Sequence, residues 1–325
     1  MALPRFVLIC IVKFIRLFTT TLASPLRRLL RLPYHPPTYT LTIPATFAQK
    51  NPGNLTLYIY HPPSYDSSRT YPCILSFHGG GFTIGHPTDD SLWAQTVTNL
   101  QNCIVISASY RLGPEHPYPT AIQDACSSLI YLFSHSRELN IDPTQIVLSG
   151  FSAGGNLCFS APLLLREFKS LVSVEESWNI AGIIAFYPGL DSSISREEKR
   201  LRMANPSQSL PGWLTDVFDH SYRPPNTGID RRNKLLSPGI QEERILREAL
   251  PAKIRIVTCE YDMLCREAED FVQRLGEWGW KVDYECVRGV KHAWDKYPSP
   301  APDPREYYGR AGDWLRAEVW GEEEE

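Results

Sequence analysis

The stretch of sequence that decides the fold is residues 145–155, Gln-Ile-Val-Leu-Ser-Gly-Phe-Ser-Ala-Gly-Gly. Its first five residues form a β-rich run typical of a buried strand, and the segment that follows, up to Phe168, is compatible with a helix. Gly150 and Gly154 flank Ser152, and small residues are needed where a strand turns sharply into a helix, because a Cβ would crowd the backbone there. The pattern predicts Ser152 as a nucleophile at the apex of this turn. The alternative is an ordinary serine in a glycine-rich turn.

A second motif, His78-Gly79-Gly80-Gly81, closes the strand-like run Cys73–Phe77. Successive glycines let backbone N–H groups point into a cavity, where they stabilise the negative charge that develops on an ester carbonyl oxygen under attack. We therefore predict an oxyanion hole formed by the N–H groups of Gly80, Gly81 and Ala153, the residue after the nucleophile. The alternative is a phosphate-binding nest, but no Gly-Lys-Ser/Thr sequence follows.

A serine hydroxyl needs a general base, since it is a weak nucleophile at neutral pH. Among the eight histidines, His292 follows the last strand-like run, Val282–Val287, in a loop ahead of the C-terminal helix. His78 belongs to the oxyanion motif. Six others lack a comparable place in the pattern: His35, His61, His86, His116, His135 and His220. His292 is therefore the predicted base.

The base in turn needs a carboxylate that selects its tautomer and stabilises its protonated form. Asp262 follows the run Ile254–Cys259 and precedes His292 by thirty residues, with Glu260 and Asp295 as competing carboxylates. With Asp262, the order along the chain is Ser, Asp, His, and each member lies at the carboxyl end of a strand. That edge is where open α/β sheets place their functional sites.

Outside these motifs, strand-like runs alternate with helix-length segments. Two runs with a two-residue period, Thr38–Ile43 and Leu55–His61, are typical of half-buried strands at an antiparallel edge. Six further runs resemble buried parallel strands: Cys73–Phe77, Cys103–Ala108, Gln145–Ser149, Ile180–Phe186, Ile254–Cys259 and Val282–Val287. Helix-length segments lie between most of them, such as Ala121–Leu132, Ala153–Phe168 and Arg266–Trp278. We predict an α/β fold with a mostly parallel eight-stranded sheet and helices on both faces.

The interval between Asp191 and Pro238 breaks this alternation with nearly fifty residues rich in charge, proline and aromatics. Because a structureless loop of that length is rare in a compact domain, we predict an inserted helical cap. The predicted organisation is an N-terminal apolar or cap-helix region at 1–45, a core at 46–190 and 239–321, the cap at 191–238 and an acidic tail at 322–325. Two interpretations stay open for three aromatic residues of the cap, which either line an apolar pocket or form the cap's own core: Trp213, Phe218 and Tyr222.

Composition limits the function classes. The 325 residues are 43% hydrophobic and 21% charged, which is enough apolar material for one large globular core. The net charge of −3 and the lack of a basic stripe with interleaved aromatics argue against nucleic acid as a partner. The eight cysteines show no CxxC and no Cys/His cluster, so we expect reduced core cysteines and no metal site.

The N-terminus leaves several interpretations open. The apolar run Phe6–Val12 ends at Lys13, well before the roughly 20 residues that a spanning helix needs. Four polar residues share one arc of a helix built on this segment: Arg5, Lys13, Arg16 and Thr20. Such an arc is typical of a helix that lies in a membrane interface or closes over an apolar site. The alternatives are a spanning or signal-anchor segment, and a signal peptide cleaved at Thr21-Leu22-Ala23.

Charge is also distributed unevenly. Residues 1–65 contain seven Lys or Arg and no Asp or Glu. We therefore regard residues 1–32 as a candidate contact with a membrane surface. We expect an intracellular protein, cytoplasmic or associated with a membrane such as the endoplasmic reticulum, rather than a secreted one. The sequence carries no signal for an oligomeric state.

At these motifs the sequence resembles the hormone-sensitive-lipase-like branch of the α/β-hydrolases. The resemblance is carried by His78–Gly81, Gly150–Gly155 and the segment Tyr110–Pro119, and it spans about residues 70–315. It implies hydrolysis of esters with short or medium acyl chains, without a cofactor, beneath a two-part helical cap. Family members with an apolar N-terminal helix include arylacetamide-deacetylase-like proteins of the endoplasmic reticulum membrane. The sequence departs from the family at Phe151, where Asp or Glu is usual, and at Gly113, where Ala is usual.

Together the motifs predict a serine hydrolase that cleaves a small-molecule carboxylic ester through an acyl-enzyme. The expected substrate carries a short, medium or acetyl acyl group on a hydrophobic small molecule. One alternative is an acyltransferase or lactone-handling enzyme that uses the same three residues. Another is a non-catalytic small-molecule receptor, since the family includes plant gibberellin receptors in which the catalytic histidine is replaced. The presence of His292 favours catalysis.

Overall fold

The computed structural model of the protein describes residues 5–19, 34–47, 52–168, 177–225, 227–297 and 301–321. Thr20, the candidate cleavage site at Thr21-Leu22-Ala23 and the acidic tail at 322–325 lie outside these ranges. So does most of the segment 1–32 beyond its first helix.

Eight strands form one sheet in the order β1-β2-β4-β3-β5-β6-β7-β8. Their bounds are β1 Tyr39–Pro44, β2 Asn54–Tyr60, β3 Tyr71–Phe77, β4 Ile104–Ala108, β5 Ile141–Phe151, β6 Ile180–Phe186, β7 Ile254–Tyr261 and β8 Val282–Lys291. β2 is antiparallel to both β1 and β4, while every pair from β4 to β8 is parallel. The mostly parallel eight-stranded sheet is therefore confirmed, with the two period-two runs at its antiparallel edge.

Helices cover both faces of the sheet, as predicted. Their bounds are α1 Arg5–Leu17, α2 Ser91–Gln101, α3 Thr120–Ser134, α4 Ala153–Glu167, α5 Arg196–Leu201, α6 Gly212–Tyr222, α7 Glu243–Arg247, α8 Cys265–Glu277 and α9 Pro304–Trp314. The cores of α3, α4 and α8 pack on one face together with Leu75 of β3. Those of α2 and α9 pack on the other with Ile74, because successive strand residues point to opposite faces.

Four strands extend beyond their apolar runs, β3 and β7 by two residues and β5 and β8 by more. β5 begins at Ile141, and β8 continues to Lys291, four residues beyond the predicted end at Val287. In both strands pairing resumes beyond a local irregularity, where Tyr71 pairs with Ile141 and Tyr261 pairs with Lys291. Backbone groups can pair whatever the side chain is, so such an extension leaves no apolar run in the sequence. This extension of β8 brings its end level with the end of β7.

The interval between Asp191 and Pro238 contains the two short helices α5 and α6. Helix α6 packs against the N-terminal helix α1 through a small apolar cluster formed by Leu8, Val12 and Val217. The two helices thus form one unit although they are two hundred residues apart. Within the described residues, no helix combines the length and the apolarity needed to cross a membrane.

One cation of α1, Arg16, contacts the protein closely, whereas Lys13 is exposed. Arg16 donates from Nη1 to both carboxylate oxygens of Glu115, at 3.1 and 3.0 Å, and from Nε to the carbonyl oxygen of Thr83 at 2.9 Å. Its Nη2 donates to the carbonyl oxygen of Gly113 at 2.5 Å. A helix lying in a membrane interface turns such an arc to water, whereas here Arg16 is turned inward. The exposed side of α1 is mostly apolar, with Phe6, Phe14 and Leu17 at 69%, 69% and 59% exposure.

Candidate active site

The turn between β5 and α4 holds Ser152 in an uncommon backbone conformation, with φ 54° and ψ −111°. A Cβ at Gly150 would lie 2.2 Å from the carbonyl oxygen of Gly154, and a Cβ at Gly154 would lie 2.0 Å from that of Phe77. Both distances are far inside van der Waals contact. The turn that exposes Ser152 therefore requires glycine at both positions.

His292 connects Ser152 to Asp262. Its Nε2 lies 2.9 Å from Ser152 Oγ, and its Nδ1 lies 2.6 Å from Asp262 Oδ2. The second oxygen of Asp262 accepts the N–H of Leu264 at 3.0 Å. Asp262 is only 3% exposed and His292 8%, so water competes weakly for these bonds. Because the carboxylate accepts the proton on Nδ1, Nε2 is left to accept the hydroxyl proton of Ser152.

The register of β7 and β8 explains how residues thirty positions apart meet. Tyr261 and Lys291 are partners at the ends of these parallel strands. The next residue of each strand, Asp262 and His292, therefore emerges at the same edge of the sheet. Ser152 follows β5, which is separated from β7 by β6, and it lies at the same edge of the sheet.

The two competing carboxylates are engaged elsewhere. Glu260 accepts the N–H of Gly289 at 2.7 Å and ties the ends of β7 and β8 together. Asp295 accepts the hydroxyl of Tyr187 at 2.7 Å and pairs with Lys296 at the same distance. Both residues therefore have structural partners of their own, and Asp262 is the carboxylate that the fold brings to the imidazole.

His78 has a structural place in the loop after β3. Its Nδ1–H donates to the carbonyl oxygen of Gly79 at 2.7 Å, and its ring stacks on Tyr110 with 4.3 Å between centroids. Tyr110 donates its hydroxyl to the His78 carbonyl at 2.7 Å. Burial lowers the pKa of His78 to about 4, so the ring stays neutral near pH 7.

The glycines of this loop lie against the nucleophile. A Cβ at Gly79 would lie 3.5 Å from the Cβ of Ser152. Gly80 and Gly81 have φ values of 113° and 59°, which place them in the left-handed region that favours glycine. The carbonyl of Gly80 accepts the N–H groups of Thr83 and Ile84 and closes the turn.

Three residues beside Ser152 have backbone N–H groups without an acceptor in the described part of the protein. Among the described residues, the N–H groups of Gly80 and Gly81 donate to no protein acceptor. The N–H of Ala153 begins α4, where the first turn of a helix leaves its donors without intrahelical partners. All three residues line the same cavity as Ser152 and His292. The donors that the sequence pointed to are thus brought together at one place.

A cavity of about 290 Å³ opens above Ser152. Helix α6 contributes Leu214, Phe218 and Tyr222 to its lining, whereas Trp213 is 61% exposed. Of the three aromatic residues with two open interpretations, Phe218 and Tyr222 therefore line the cavity. Trp213 belongs neither to the lining of the cavity nor to a buried core.

The sequence pattern of the α/β hydrolase fold matches residues 74–296, a span that includes Gly80, Ser152, Asp262 and His292. The chain belongs to the α/β-hydrolase fold family. It is similar to the carboxylesterase NlhH of Mycobacterium tuberculosis, with 35% identity over 262 residues that cover 78% of this chain and 75% of that protein. It is also similar to an arylesterase of Saccharolobus solfataricus, with 31% identity over 230 residues, 68% of this chain and 67% of that protein.

Solved structures show the same fold. A hyperthermophilic esterase from the archaeon Pyrobaculum calidifontis superimposes with a TM-score of 0.77 at 24% identity, over 94% of this chain and 91% of that one. The family inferred from the motifs is therefore confirmed by sequence, and this solved esterase has the same fold as the chain.

The structure explains one departure of this α/β-hydrolase from the usual motif. A Cβ at Gly113 would lie 2.5 Å from the carbonyl oxygen of Ser221 in α6. The next turn of the same segment is bonded to that helix, since Tyr118 donates its N–H to the Tyr222 carbonyl at 2.8 Å. Glycine at 113 thus permits a closer approach of α6 to the segment Tyr110–Pro119 than alanine does.

The second departure, Phe151, lies in a buried charged cluster. Its ring is stacked on Phe186, 4.6 Å away and nearly parallel, and the Lys296 ammonium lies 3.8 Å from its centre. Lys296 pairs with Asp90 at 2.6 Å and with Asp295 at 2.7 Å. Burial raises the pKa of Asp90 to about 7, although Lys296 acts to lower it. This cluster anchors the loop that carries the base, and its members are too far apart in sequence for a motif to have revealed it.

The described residues contain no group of three His, Cys, Asp or Glu arranged to hold a metal ion. All eight cysteines are free thiols and six of them are buried, as expected for small core residues.

Proposed function

We propose that this α/β-hydrolase is a serine esterase that cleaves carboxylic esters through an acyl-enzyme formed on Ser152. The observation that carries the proposal is the continuous hydrogen-bond chain from Ser152 Oγ through His292 to Asp262. Proteins similar to it are named carboxylesterase and arylesterase. These relatives show that the chain is a carboxylesterase-type hydrolase, and the proposal adds the nucleophile and the acyl-enzyme.

The proposed reaction begins with attack of Ser152 Oγ on the ester carbonyl carbon while His292 Nε2 takes the hydroxyl proton. The carbonyl oxygen becomes an oxyanion, which accepts hydrogen bonds from the N–H groups of Gly80, Gly81 and Ala153. Asp262 stabilises the imidazolium. Collapse of the intermediate breaks the bond to the alkoxy oxygen, which leaves as the alcohol with the proton held by His292. A water molecule then attacks the acyl group by the same steps and restores the hydroxyl.

The proposed substrate is a small ester with a short or medium acyl chain and an apolar body. A cavity of about 290 Å³ is at the lower end of the volumes that hold small ligands. Leu214, Phe218 and Leu264 give it an apolar lining close to the nucleophile. Long acyl chains exceed this volume unless the cap moves.

The test combines covalent labelling with turnover. We expect a fluorophosphonate probe to label Ser152, and 4-nitrophenyl butyrate to be hydrolysed by the wild-type chain. Ser152→Ala should lose both while its unfolding temperature changes little, because the half-buried hydroxyl lies at the cavity and its side chain bonds only to His292. Replacement of Ser160, which is buried in α4, by alanine is the matched control and should retain labelling. Labelling that persists in Ser152→Ala excludes the proposed nucleophile.

The same experiment separates the alternatives. A wild-type chain that folds but shows neither labelling nor turnover is a receptor on this fold. Adding a primary alcohol and analysing the products distinguishes water from alcohol as the acyl acceptor. We expect free acid to dominate; a dominant transfer product identifies an acyltransferase.

We also propose that the outer side of α1 rests on an anionic lipid surface. Phe6, Phe14 and Leu17 are exposed along one side of this helix. The first 65 residues carry no carboxylate. Lys13 of α1 is exposed and complements negatively charged headgroups, whereas Arg16 is bonded to the protein. Apolar insertion together with such charge is the usual basis of binding by a helix that lies in the interface.

Vesicle sedimentation tests this contact. The full chain should bind phosphatidylcholine vesicles containing phosphatidylserine more strongly than pure phosphatidylcholine vesicles, and less in high salt. The double variant Phe6→Ser, Phe14→Ser should bind less, whereas Leu100→Ser, which removes an exposed side chain from α2, should not. Equal binding by all three proteins excludes α1 as the contact.

A further inference from the structure

The cavity above Ser152 has a polar wall built by the cap and by α8. Most charges on this wall are paired with one another. Lys199 forms an ion pair with Glu267 and also donates to a backbone carbonyl. Arg223 Nη2 lies 2.9 Å from Asp219 Oδ1. Paired charges of this kind hold the wall together and leave little free for a ligand.

Arg196, the first residue of α5, differs because only one edge of its guanidinium is paired. Its Nη2 and Nε donate to Asp219 at 3.0 and 3.4 Å. Its Nη1 faces the Met263 sulfur at 3.9 Å, and a thioether is a weak acceptor. No oxygen atom of the described residues accepts a hydrogen bond from this Nη1.

This free edge lies near the reacting groups. Met263 directly follows Asp262, and Arg196 and Met263 line the cavity together with Ser152. Burial acts to lower the pKa of Arg196, but the Asp219 carboxylate raises it, so the guanidinium stays charged. A charged donor on the wall of a partly buried cavity is stabilised when a ligand supplies the missing acceptor.

We infer that Arg196 Nη1 binds a second oxygen of the substrate, separate from the ester group that is cleaved; this inference rests on the proposed esterase function. The acceptor is an uncharged ketone, ether or second ester oxygen. Among the residues that line the cavity, carboxylates outnumber Lys and Arg by six to four. An anionic group would therefore meet net repulsion, whereas a neutral oxygen gains the hydrogen bond without that cost.

The test uses substrates that match in shape and differ in the acceptor. On the acyl side, 4-nitrophenyl 4-oxopentanoate is compared with 4-nitrophenyl pentanoate, and with the 4-nitrophenyl half-ester of succinate as the carboxylate analogue. On the alcohol side, 2-methoxyethyl butanoate is compared with butyl butanoate. A hydrogen bond to a charged group predicts about a tenfold or greater preference in kcat/KM for the oxygen-bearing ester of at least one pair.

The variant Arg196→Met removes the guanidinium while keeping an unbranched apolar stem. Asp219 stays paired with Arg223, so the buried carboxylate keeps a partner. The preference should fall to about one. Arg200→Met is the control, because Arg200 lies one turn further along α5 and bonds Ser209 and Thr215 instead. Arg196→Lys keeps the charge but loses the Nη1 edge, and it should also lose the preference.

Each outcome decides the inference. A wild-type preference that disappears in Arg196→Met and Arg196→Lys but survives in Arg200→Met supports it. It is overturned if the wild type shows no preference in either pair, if the preference survives Arg196→Met, or if the succinate half-ester is the best substrate. Hydrolysis of the plain esters that depends on Ser152 upholds the proposed function in all of these cases, so the two failures are distinguishable.

Discussion

Replacing Gly80 with alanine should slow the reaction while leaving Ser152, His292 and Asp262 in place. The added Cβ would lie 2.1 Å from the carbonyl oxygen of Ile84, a backbone atom that cannot turn aside. Gly80 also has a φ of 113°, which alanine rarely adopts. The loop must therefore shift by at least about 1 Å to restore van der Waals contact, and the N–H of Gly80 moves with it.

The expected magnitude follows from the loss of one oxyanion donor. Such a loss costs about 3–4 kcal/mol of transition-state stabilisation, or roughly 10²–10³ in kcat. KM should change little, because these donors act on the charge that develops in the transition state more than on the bound ester. The two remaining donors, Gly81 and Ala153, keep some activity in the variant.

Steady-state kinetics with 4-nitrophenyl butyrate measure this effect in the wild type, Gly80→Ala and Gly276→Ala. Gly276 in α8 is a matched control, because an added Cβ there meets nothing within 4 Å. The control should match the wild type in kcat and should unfold at the same or a slightly higher temperature, because alanine favours a helix more than glycine does. A folded Gly80→Ala protein whose kcat stays within about threefold of the wild type would refute the assignment of Gly80 as a donor.

Three further changes have expected outcomes. Asp262→Asn should lower kcat by about 10⁴ with little effect on the unfolding temperature, because an amide selects the wrong imidazole tautomer; the pH–rate profile and kcat check it. Gly113→Ala should displace α6, because its Cβ would lie 2.5 Å from the Ser221 carbonyl oxygen, and should raise KM for bulky esters more than for acetate esters. Burial raises the pKa of Asp90 in the folded state from its ordinary value to about 7, so the folded state binds this proton more tightly than the unfolded state. Its stabilising contribution is therefore present below pH about 4 and lost as pH rises through 7, by at most about 4 kcal/mol. In urea unfolding from pH 4 to 8, Asp90→Asn should lose less stability than the wild type; parallel losses in the two proteins contradict this.

Much of the fold is predictable from local pattern. The apolar runs at residues 73–77, 180–186 and 254–259 lie within β3, β6 and β7. Their burial on both faces makes them continuously apolar, and that is a signal that a single sequence carries. The ends of β5 and β8 are not predictable in this way, because pairing resumes beyond an irregularity in each ladder, at Ile141 and at Lys291, where backbone groups bond whatever the side chains are.

Some residues of the site can likewise be predicted from local sequence, and others are selected only by the fold. Glycine requirements are local, so Gly150 and Gly154 are visible in the sequence as the condition for a sharp turn around Ser152. Local sequence does not determine which of the three candidate carboxylates contacts His292. Glu260 and Asp262 are two residues apart, and the contact of Asp262 with the imidazole depends on the pairing of Tyr261 with Lys291 at the strand ends.

Helix α1 shows more clearly what a local sequence pattern does not predict. The helical period of α1 places Arg16 on a polar arc, but its carboxylate partner is Glu115, nearly a hundred residues away. The helical period does not indicate which side meets the protein, and the structure turns Arg16 inward and leaves Lys13 and Phe14 exposed.

The sequence alone determined the layered α/β architecture, the glycine-framed serine and the short set of residues from which a base, an acid and oxyanion donors had to come, because burial period and backbone crowding act between near neighbours. Only the tertiary structure decided which carboxylate reaches His292, how Lys296 and Asp90 meet beside Phe151, and which edge of Arg196 is left without an oxygen partner. Those contacts join residues from different strands and from the cap, and their geometry depends on strand register and helix packing, which no single segment encodes.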